Sequence, residues 1–353
     1  MNPLKTVHLA SVPVGDGHPT VFVAEAGSFF NKDVEMAERY LRTCVAAGVP
    51  VFKTEILHDP DICLKGTGLE VGYQHAEGKS VEDYRAYIER KILPLAAYRR
   101  LFDLCHELKT PFVASVFDFK GAEFLADCGG AAAKLFRQNI TNLPLIRKVA
   151  RLGLPIIFDA GFAYLDEVAR AVRWAREEGA PGVIVNHHPG HNPSPASIHH
   201  FEVMRTYREA LACPVGLSCH YRGEEMLYVA IGMGAHLLEK GVDDNPDRHE
   251  CDIISATPLS ELPRVLGRVR ACWESIGQAP AQHHEPRDLT TRSGMVAARA
   301  IAAGEILSED NLRFAWPPIG IPVERWDEVV GKRAAHAVAS GAPLRMKDVC
   351  FDD

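Results

Sequence analysis

Between residues 20 and 242 the chain alternates two hydrophobic patterns. The first is a short apolar run, often β-branched, found in TVFVAEAG (20–27), VPVFKTEI (49–56), TPFVASVF (110–117), AAAKLFR (131–137), LPIIFDAG (154–161), APGVIVNHH (180–188), PVGLSCH (214–220) and GAHLLEKGV (234–242). Continuous apolar runs of this length suit strands buried on both faces of a parallel sheet. The second pattern has apolar residues recurring every three or four positions, as in residues 33–48, 141–153, 165–179 and 195–212. Several of these stretches open on an Asp, Thr or Ser that can cap a helix, and most end near a glycine. Eight strands alternating with helices over roughly 250 residues predict a (β/α)8 barrel. A doubly wound open sheet is the alternative. No G-x-G-x-x-G follows the first strand and no G-x-x-x-x-G-K-[ST] occurs anywhere. Residues 57–80 form a polar, glycine-bearing insertion after the second strand, readable as a lid over the C-terminal face or as a disordered surface excursion.

A barrel carries its chemistry at the carboxyl ends of its strands. The polar residues expected there are Glu25, Lys53 with Glu55, Ser115 with Asp118, and Lys134 with Arg137. Asp159, Asn186 with His187, Ser218 with His220, and Glu239 with Asp243 complete the rim. Charged groups seldom stand inside strands unless paired or in use, so their convergence on one rim predicts a functional site. Lys53, Lys134 and Arg137, at the ends of the second and fourth strands, are expected to face one mouth and surround an anion.

From about residue 292 the pattern changes to short β-like pieces and turns (AAGE, ASGA), which marks a second domain at 292–353. The barrel domain is expected at 1–277, with the polar, proline-bearing residues 278–291 as a linker. The net charge of −7 gives the chain no general attraction for nucleic acid. No run approaches the ~18 apolar residues of a membrane span, and acidic and glycine residues occupy the start where a signal peptide needs an apolar stretch. A cytoplasmic protein is expected. The nine cysteines are odd in number, widely spaced and never in a C-x-x-C pair, which reads as reduced thiols.

Five strings, in order, resemble the sialic acid synthase family, including its spore coat polysaccharide synthesis members. AEAGSFFNKD resembles the family's AEIG-x-N-H-N-G-D, FKTE its VKFQ, and AKLFRQNITNLPLI its FKIASGDLTNLPLL. PVGLSCH is similar to GYSDH, and LLEKGVDDN to IEKHFTLD. The tail, through VAARAIAAGEILSEDNL and VGKRAAHAV, resembles the family's antifreeze-like (SAF) domain. The resemblance implies a barrel followed by that small β-rich domain. It also implies condensation of phosphoenolpyruvate (PEP) with the aldehyde of an open-chain amino sugar on a divalent metal, Mn²⁺ or Mg²⁺, to give a nonulosonic acid. A domain-swapped homodimer, each tail over the other barrel, follows from the same resemblance.

Carried over by position, Glu25 matches the catalytic glutamate, Lys53 and Lys134 match PEP-contacting lysines, and Ser115 and Ser218 match hydroxyl residues near PEP. Glu55 falls at a sugar-binding position. His220 matches one of two metal histidines, with a role in catalysis, whereas the second is Gly241 here. Arg137 and Asp159 stand where the family has serines, and Gly190 where it has an asparagine. Arg137 is expected to contact PEP as a bidentate cation. Trp316 replaces an arginine that, in the family, reaches the partner's sugar site. This substitution implies an acceptor differing from N-acetylmannosamine at the N-acyl group.

With one matched imidazole, the metal is expected to bind weakly, Glu25 and the Asp243–Asp244 pair being the nearest acidic ligands. A site joining His220 to a histidine of HHPGH (187–191) is an alternative to a merely solvated loop. HHFE (199–202) reads as half-exposed helix surface. Two further alternatives are a diverged barrel with other aldehyde or keto-acid chemistry, and a non-catalytic carbohydrate-binding protein.

Overall fold

The computed structural model describes residues 4–245, 248–277 and 291–351. The predicted linker, Thr291 excepted, lies outside the described residues. The chain divides into two compact units, Met1–Gln278 and Ala279–Asp353.

The first unit opens with an antiparallel hairpin, β1 (Val7–Leu9) and β2 (Val12–Val14). Two barrel strands follow, β3 (Val21–Gly27) and β4 (Val51–Glu55), and then a second hairpin, β5 (Glu70–His75) and β6 (Gly78–Asp83). The remaining barrel strands are β7 (Phe112–Ser115), β8 (Ala132–Leu135), β9 (Ile156–Asp159), β10 (Val183–His187), β11 (Val215–Cys219) and β12 (Leu237–Asp243). They pair in parallel in the order β3-β4-β7-β8-β9-β10-β11-β12, and β12 pairs with β3, so the sheet closes on itself as an eight-stranded barrel.

Side-chain alternation along each strand builds two cores. Val21 and Val23 of β3, Val51, Val113, Ile157, Ile184 and Leu237 gather inside the barrel with Val7, Leu9 and Val14 of the first hairpin. The hairpin thus plugs the end at which the strands begin. The intervening residues, such as Phe22, Ala24, Phe52 and Phe158, pack against the surrounding helices. Helix Val34–Ala46 starts where Asp33 accepts from the Met36 N–H, and it buries Ala37, Tyr40, Leu41 and Cys44. Spacings of three and four put those four residues on one face.

The structure corrects two sequence expectations in this unit. The stretch 195–212 is not one helix: a 3-10 turn, Ala196–Ile198, precedes left-handed backbone at His200 (φ 40°), and the α-helix spans only Glu202–Leu211. His199 is consequently a buried residue with its Nδ1 3.0 Å from the Pro195 carbonyl, and HHFE is not a helix surface. The insertion after β4 is neither shapeless nor all loop. Its second half is β5, and β6 carries the hairpin beyond the expected limit to Asp83.

The second unit has its own core around Met295, Ala297, Ile301, Leu307, Leu312 and Leu344. Gly294–Ala297 pairs antiparallel with Leu312–Ala315. Phe314, Trp316 and Ile319 leave more than half their surface exposed there. All nine cysteines are free thiols.

Candidate active site

The alternation that builds the barrel floor also builds its mouth. Two residues beyond the inward valine, alanine, isoleucine, glycine or leucine of each strand stands a polar side chain on the same face. These are Glu25, Lys53, Ser115, Lys134, Asp159, Asn186, Ser218 and Glu239. Strand register sets Glu25 beside Lys53, Ser115 beside Lys134, Asp159 beside Asn186 and Ser218 beside Glu239.

Lys53 pairs with Glu25 and lies 3.6 Å from Glu239. Lys134 pairs with Glu239, lies 3.1 Å from Asp159, and donates to Ser218 Oγ at 3.2 Å. Ser218 in turn donates to Glu239 at 3.2 Å. The two lysines are therefore already matched by carboxylates, and the expected trio of mutually repelling cations is not what the barrel holds. Glu239, the hub of this network, lies in the string LLEKGV. Its place at a strand end was legible in the sequence, its position between both lysines was not.

Burial favours the neutral carboxyl of Glu25 and outweighs the pull of Lys53 and Lys134, with Glu239 and Glu55 adding to the rise, so its pKa stands at about 8. Burial acts in the same direction on Glu239, but there the two lysines dominate and hold it down to about 2. Asp159 is held well below the usual range: against its burial act His188, Lys134 and the Gly161 N–H. Burial disfavours both ammonium groups, yet Glu239, with Glu25 at Lys53 and Asp159 at Lys134, raises them above the ordinary lysine value. Near neutral pH the network thus carries two ammonium groups, two carboxylates and a protonated Glu25.

Arg137 begins a 3-10 turn just past β8, donates to the Gly190 carbonyl at 3.0 Å, and lies over the rings of Phe136 and Phe162. Among the described residues it forms no ion pair, and it lines the same mouth as Glu25, Lys53, Ser115, Lys134 and His220. Glu55 lines that mouth too and accepts from Ser28 Oγ at 3.0 Å. Ser218 lies beneath, against Lys134. Trp316 belongs to the second unit, where 78% of its surface is exposed. Asp118 is engaged elsewhere, capping helix Phe119–Asp127 through the Gly121 N–H and lying 2.9 Å from His58. Ser115 Oγ and the Asn186 amide, both buried, have no hydrogen-bond partner among the described residues. A small polar ligand satisfies such groups.

His187 and His188 are buried, so HHPGH is not a solvated loop. His188 Nε2 lies 2.7 Å from His220 Nδ1, and His188 Nδ1 lies 3.4 Å from Asp159. Room for His188 comes from Gly161, where a Cβ would approach His188 Nδ1 to 2.3 Å. Burial pushes His188 down to about 3, so both partners of this imidazole pair are neutral at pH 7.

Residues 41–281 match the NeuB family, and residues 292–349 match the SAF domain. The chain belongs to the NeuB family. This NeuB chain is 26% identical, over 89% of its length and 96% of the relative's, to the N,N'-diacetyllegionaminic acid synthase of Campylobacter jejuni. It is 25% identical to the spore coat polysaccharide biosynthesis protein SpsE of Bacillus subtilis, over 98% of this chain and 97% of that one. The crystal structure of SpsE superposes with a TM-score of 0.64 at 22% identity, over 99% of this chain and 100% of that chain. The N-acetylneuraminic acid synthetase of Leptospira borgpetersenii superposes with a TM-score of 0.71 at 19% identity, over 81% of this chain and 93% of that chain. The barrel-plus-SAF fold expected from the motifs is the fold observed.

The divalent metal implied by the NeuB resemblance does not fit the residues present. At Gly241 the Phe29 ring fills the neighbouring space, 3.2 Å from where a Cβ would stand. Asp243 is committed to Tyr40 and Arg248, Asp244 to the same tyrosine and Glu25 to Lys53, so the expected acidic ligands are already engaged. His188 and His220 hydrogen-bond each other directly, whereas two nitrogens sharing an ion at ~2.1 Å stand ~3.4 Å apart in tetrahedral geometry. Among the described residues no three His, Cys, Asp or Glu side chains converge as a metal cage.

Proposed function

We propose that the protein condenses PEP with the open-chain aldehyde of an amino sugar, giving a nonulosonic acid of the sialic type for surface polysaccharide. The observation that carries this reading is the mouth itself: a balanced lysine–carboxylate network beside Arg137, a cation left without a carboxylate among the described residues. Relatives of similar length named as legionaminic, pseudaminic and N-acetylneuraminate-9-phosphate synthases support the reaction class.

In this reading C3 of PEP bonds to the aldehyde carbon, whose oxygen takes up a proton and becomes a hydroxyl. Water adds to C2, the bond between C2 and the oxygen that bridges it to phosphorus breaks, inorganic phosphate leaves with that oxygen, and the oxygen from water, losing its protons, becomes the C2 keto oxygen of the acid. Lys53 and Lys134 lie where their ammonium N–H groups can donate to the PEP carboxylate, and Arg137, without a carboxylate of its own among the described residues, where it can hold the phosphate through two parallel N–H donors. Glu25 loses its proton near 8, so its carboxylate is the group suited to accept the proton of the attacking water. Ser115, which lines the same mouth, offers a neutral hydrogen bond to the same ligand.

The test is to incubate the full chain with PEP and a panel of amino-sugar aldehydes, following phosphate release and the mass of the new acid. Failure to consume PEP with any of them, alongside measurable sugar binding, would replace this reading by that of a diverged carbohydrate-binding barrel. We further infer a twofold dimer in which the segment bearing the exposed Phe314, Trp316 and Ile319 meets a second copy, because large apolar side chains left wet so close in sequence invite burial. Light scattering at micromolar concentration is expected to give twice the chain mass, and a monomer would refute it.

A further inference from the structure

A second cavity, of about 590 Å³, adjoins the charged mouth and has the opposite character. Ile88 and Phe117 contribute its inner wall. Leu64 and Leu69 contribute the outer one, from the segment that follows the 3-10 turn Pro60–Ile62. Tyr84, Ile88, Phe117 and Gln138 line both this cavity and the mouth that contains Lys53, Lys134 and Arg137. At that shared wall Gln138 Nε2 donates to Tyr84 Oη at 3.1 Å. The order outward from the reaction centre is therefore charge, then a hydroxyl and an amide, then hydrocarbon.

Leu64 is 75% exposed and Leu69 53% exposed, two large apolar side chains left wet along the wall of that space. The site next door has no need of such a wall if its acceptor is polar throughout. An acceptor with an amide followed by an alkyl chain matches the sequence of surfaces: the amide at Tyr84 and Gln138, the chain over Ile88, Phe117, Leu64 and Leu69. We propose that this annex is a specificity subsite that seats an acyl substituent of the acceptor sugar longer than acetyl. The proposal rests on the condensation reading for the acceptor's class, and it adds where the substituent lies and what it is made of.

The probes are N-acetyl-, N-butanoyl- and N-hexanoylmannosamine, used with PEP in a phosphate-release assay. Their open-chain alditols, which have no aldehyde to react, are titrated into the full chain by calorimetry with PEP present. Each fully buried methylene strengthens binding by about fourfold, so even half-burial of the added methylenes gives at least a tenfold lower Kd for the hexanoyl than for the acetyl alditol. Leu64→Asp, at an exposed position that tolerates the change, is expected to abolish that gain, and Leu69→Asp to do the same. A flat or inverted series overturns the proposal. Occupation of the annex by another protein segment would give that result, and so would an annex too shallow for the chain. A graded alditol series without phosphate release keeps the subsite and rejects the condensation. Phosphate release with a flat series does the reverse, and binding of no alditol at all overturns the subsite.

Discussion

Replacing Lys134 by methionine keeps most of the side chain's volume and removes the charge that faces Glu239 and Asp159. Both carboxylates are buried, with 1% and 0% of their side chains exposed, so water cannot take over the ammonium's part. Holding Glu239 near 2 rather than 4.5 is worth about 3 kcal/mol at pH 7. Breaking a buried pair by removing one partner typically costs about 3–5 kcal/mol, in agreement. Because the folded pKa lies below the unfolded one, this stabilisation is fully present above about 4.5 and is lost as the pH falls toward 2. Lys134→Met is therefore expected to lose up to about 3 kcal/mol at pH 7, Lys53 keeping part of the compensation of Glu239, and less at pH 3, where Glu239 contributes less while Asp159, held lower, still counts. The assay is urea unfolding followed by far-UV circular dichroism, which reports the barrel because nearly all the described helix lies there. The double variant Lys134→Met/Glu239→Gln should recover part of the loss at pH 7. A deficit below ~1 kcal/mol at pH 7, or one equal at both pH values, would show that Lys134 is not what compensates the carboxylates.

Arg137→Ala is expected to weaken PEP binding by at least tenfold, about 1.4 kcal/mol, in a calorimetric titration; unchanged affinity removes Arg137 from the anion site. Glu25→Gln should cut phosphate release at least ~100-fold. The wild type's rate should rise with pH along a limb near 8, so a limb that survives in Glu25→Gln assigns it to another group. Elemental analysis of the dialysed protein should find well below one Mn²⁺ or Mg²⁺ per chain, and any metal-dependent activity should require added ion. A stoichiometric ion that survives dialysis would contradict the fit drawn from Gly241, Phe29 and the imidazole pair.

Every barrel strand was legible because a strand buried on both faces leaves an uninterrupted apolar run, and the polar residue ending each run announced the rim. What pairs with what across the mouth was not legible. Lys134 and Glu239 are 105 positions apart and meet only because the sheet closes. The hairpin of β5 and β6 was not legible because its one less exposed face, Val71, Tyr73 and His75 of β5, is short and interrupted by Gly72 and Gln74, and β6 is mostly exposed and polar. His188 was visible as one histidine among 16. Its partnership with His220 depends on the space left by Gly161, a demand on volume that no motif encodes. The false helix start at 195 had a physical cause in view: Pro193 and Pro195 bias the residues before them away from helical backbone.

The hairpin of β1 and β2 makes the barrel a vessel with a single opening, because Leu9 and Val14 are fully buried against the inner valines. Traffic through such a vessel is last in, first out. A ligand held by Lys53 and Lys134, at 1% and 2% exposure, sits below anything bound nearer the rim and cannot depart past it. Under the proposed chemistry PEP must be loaded before the sugar, and phosphate, held by Arg137 nearer the rim, must clear the mouth before the condensed acid, whose carboxylate the lysines hold, can follow. Order of addition and release would then be a property of the barrel's floor, imposed by Leu9 and Val14 at the end farthest from the reaction.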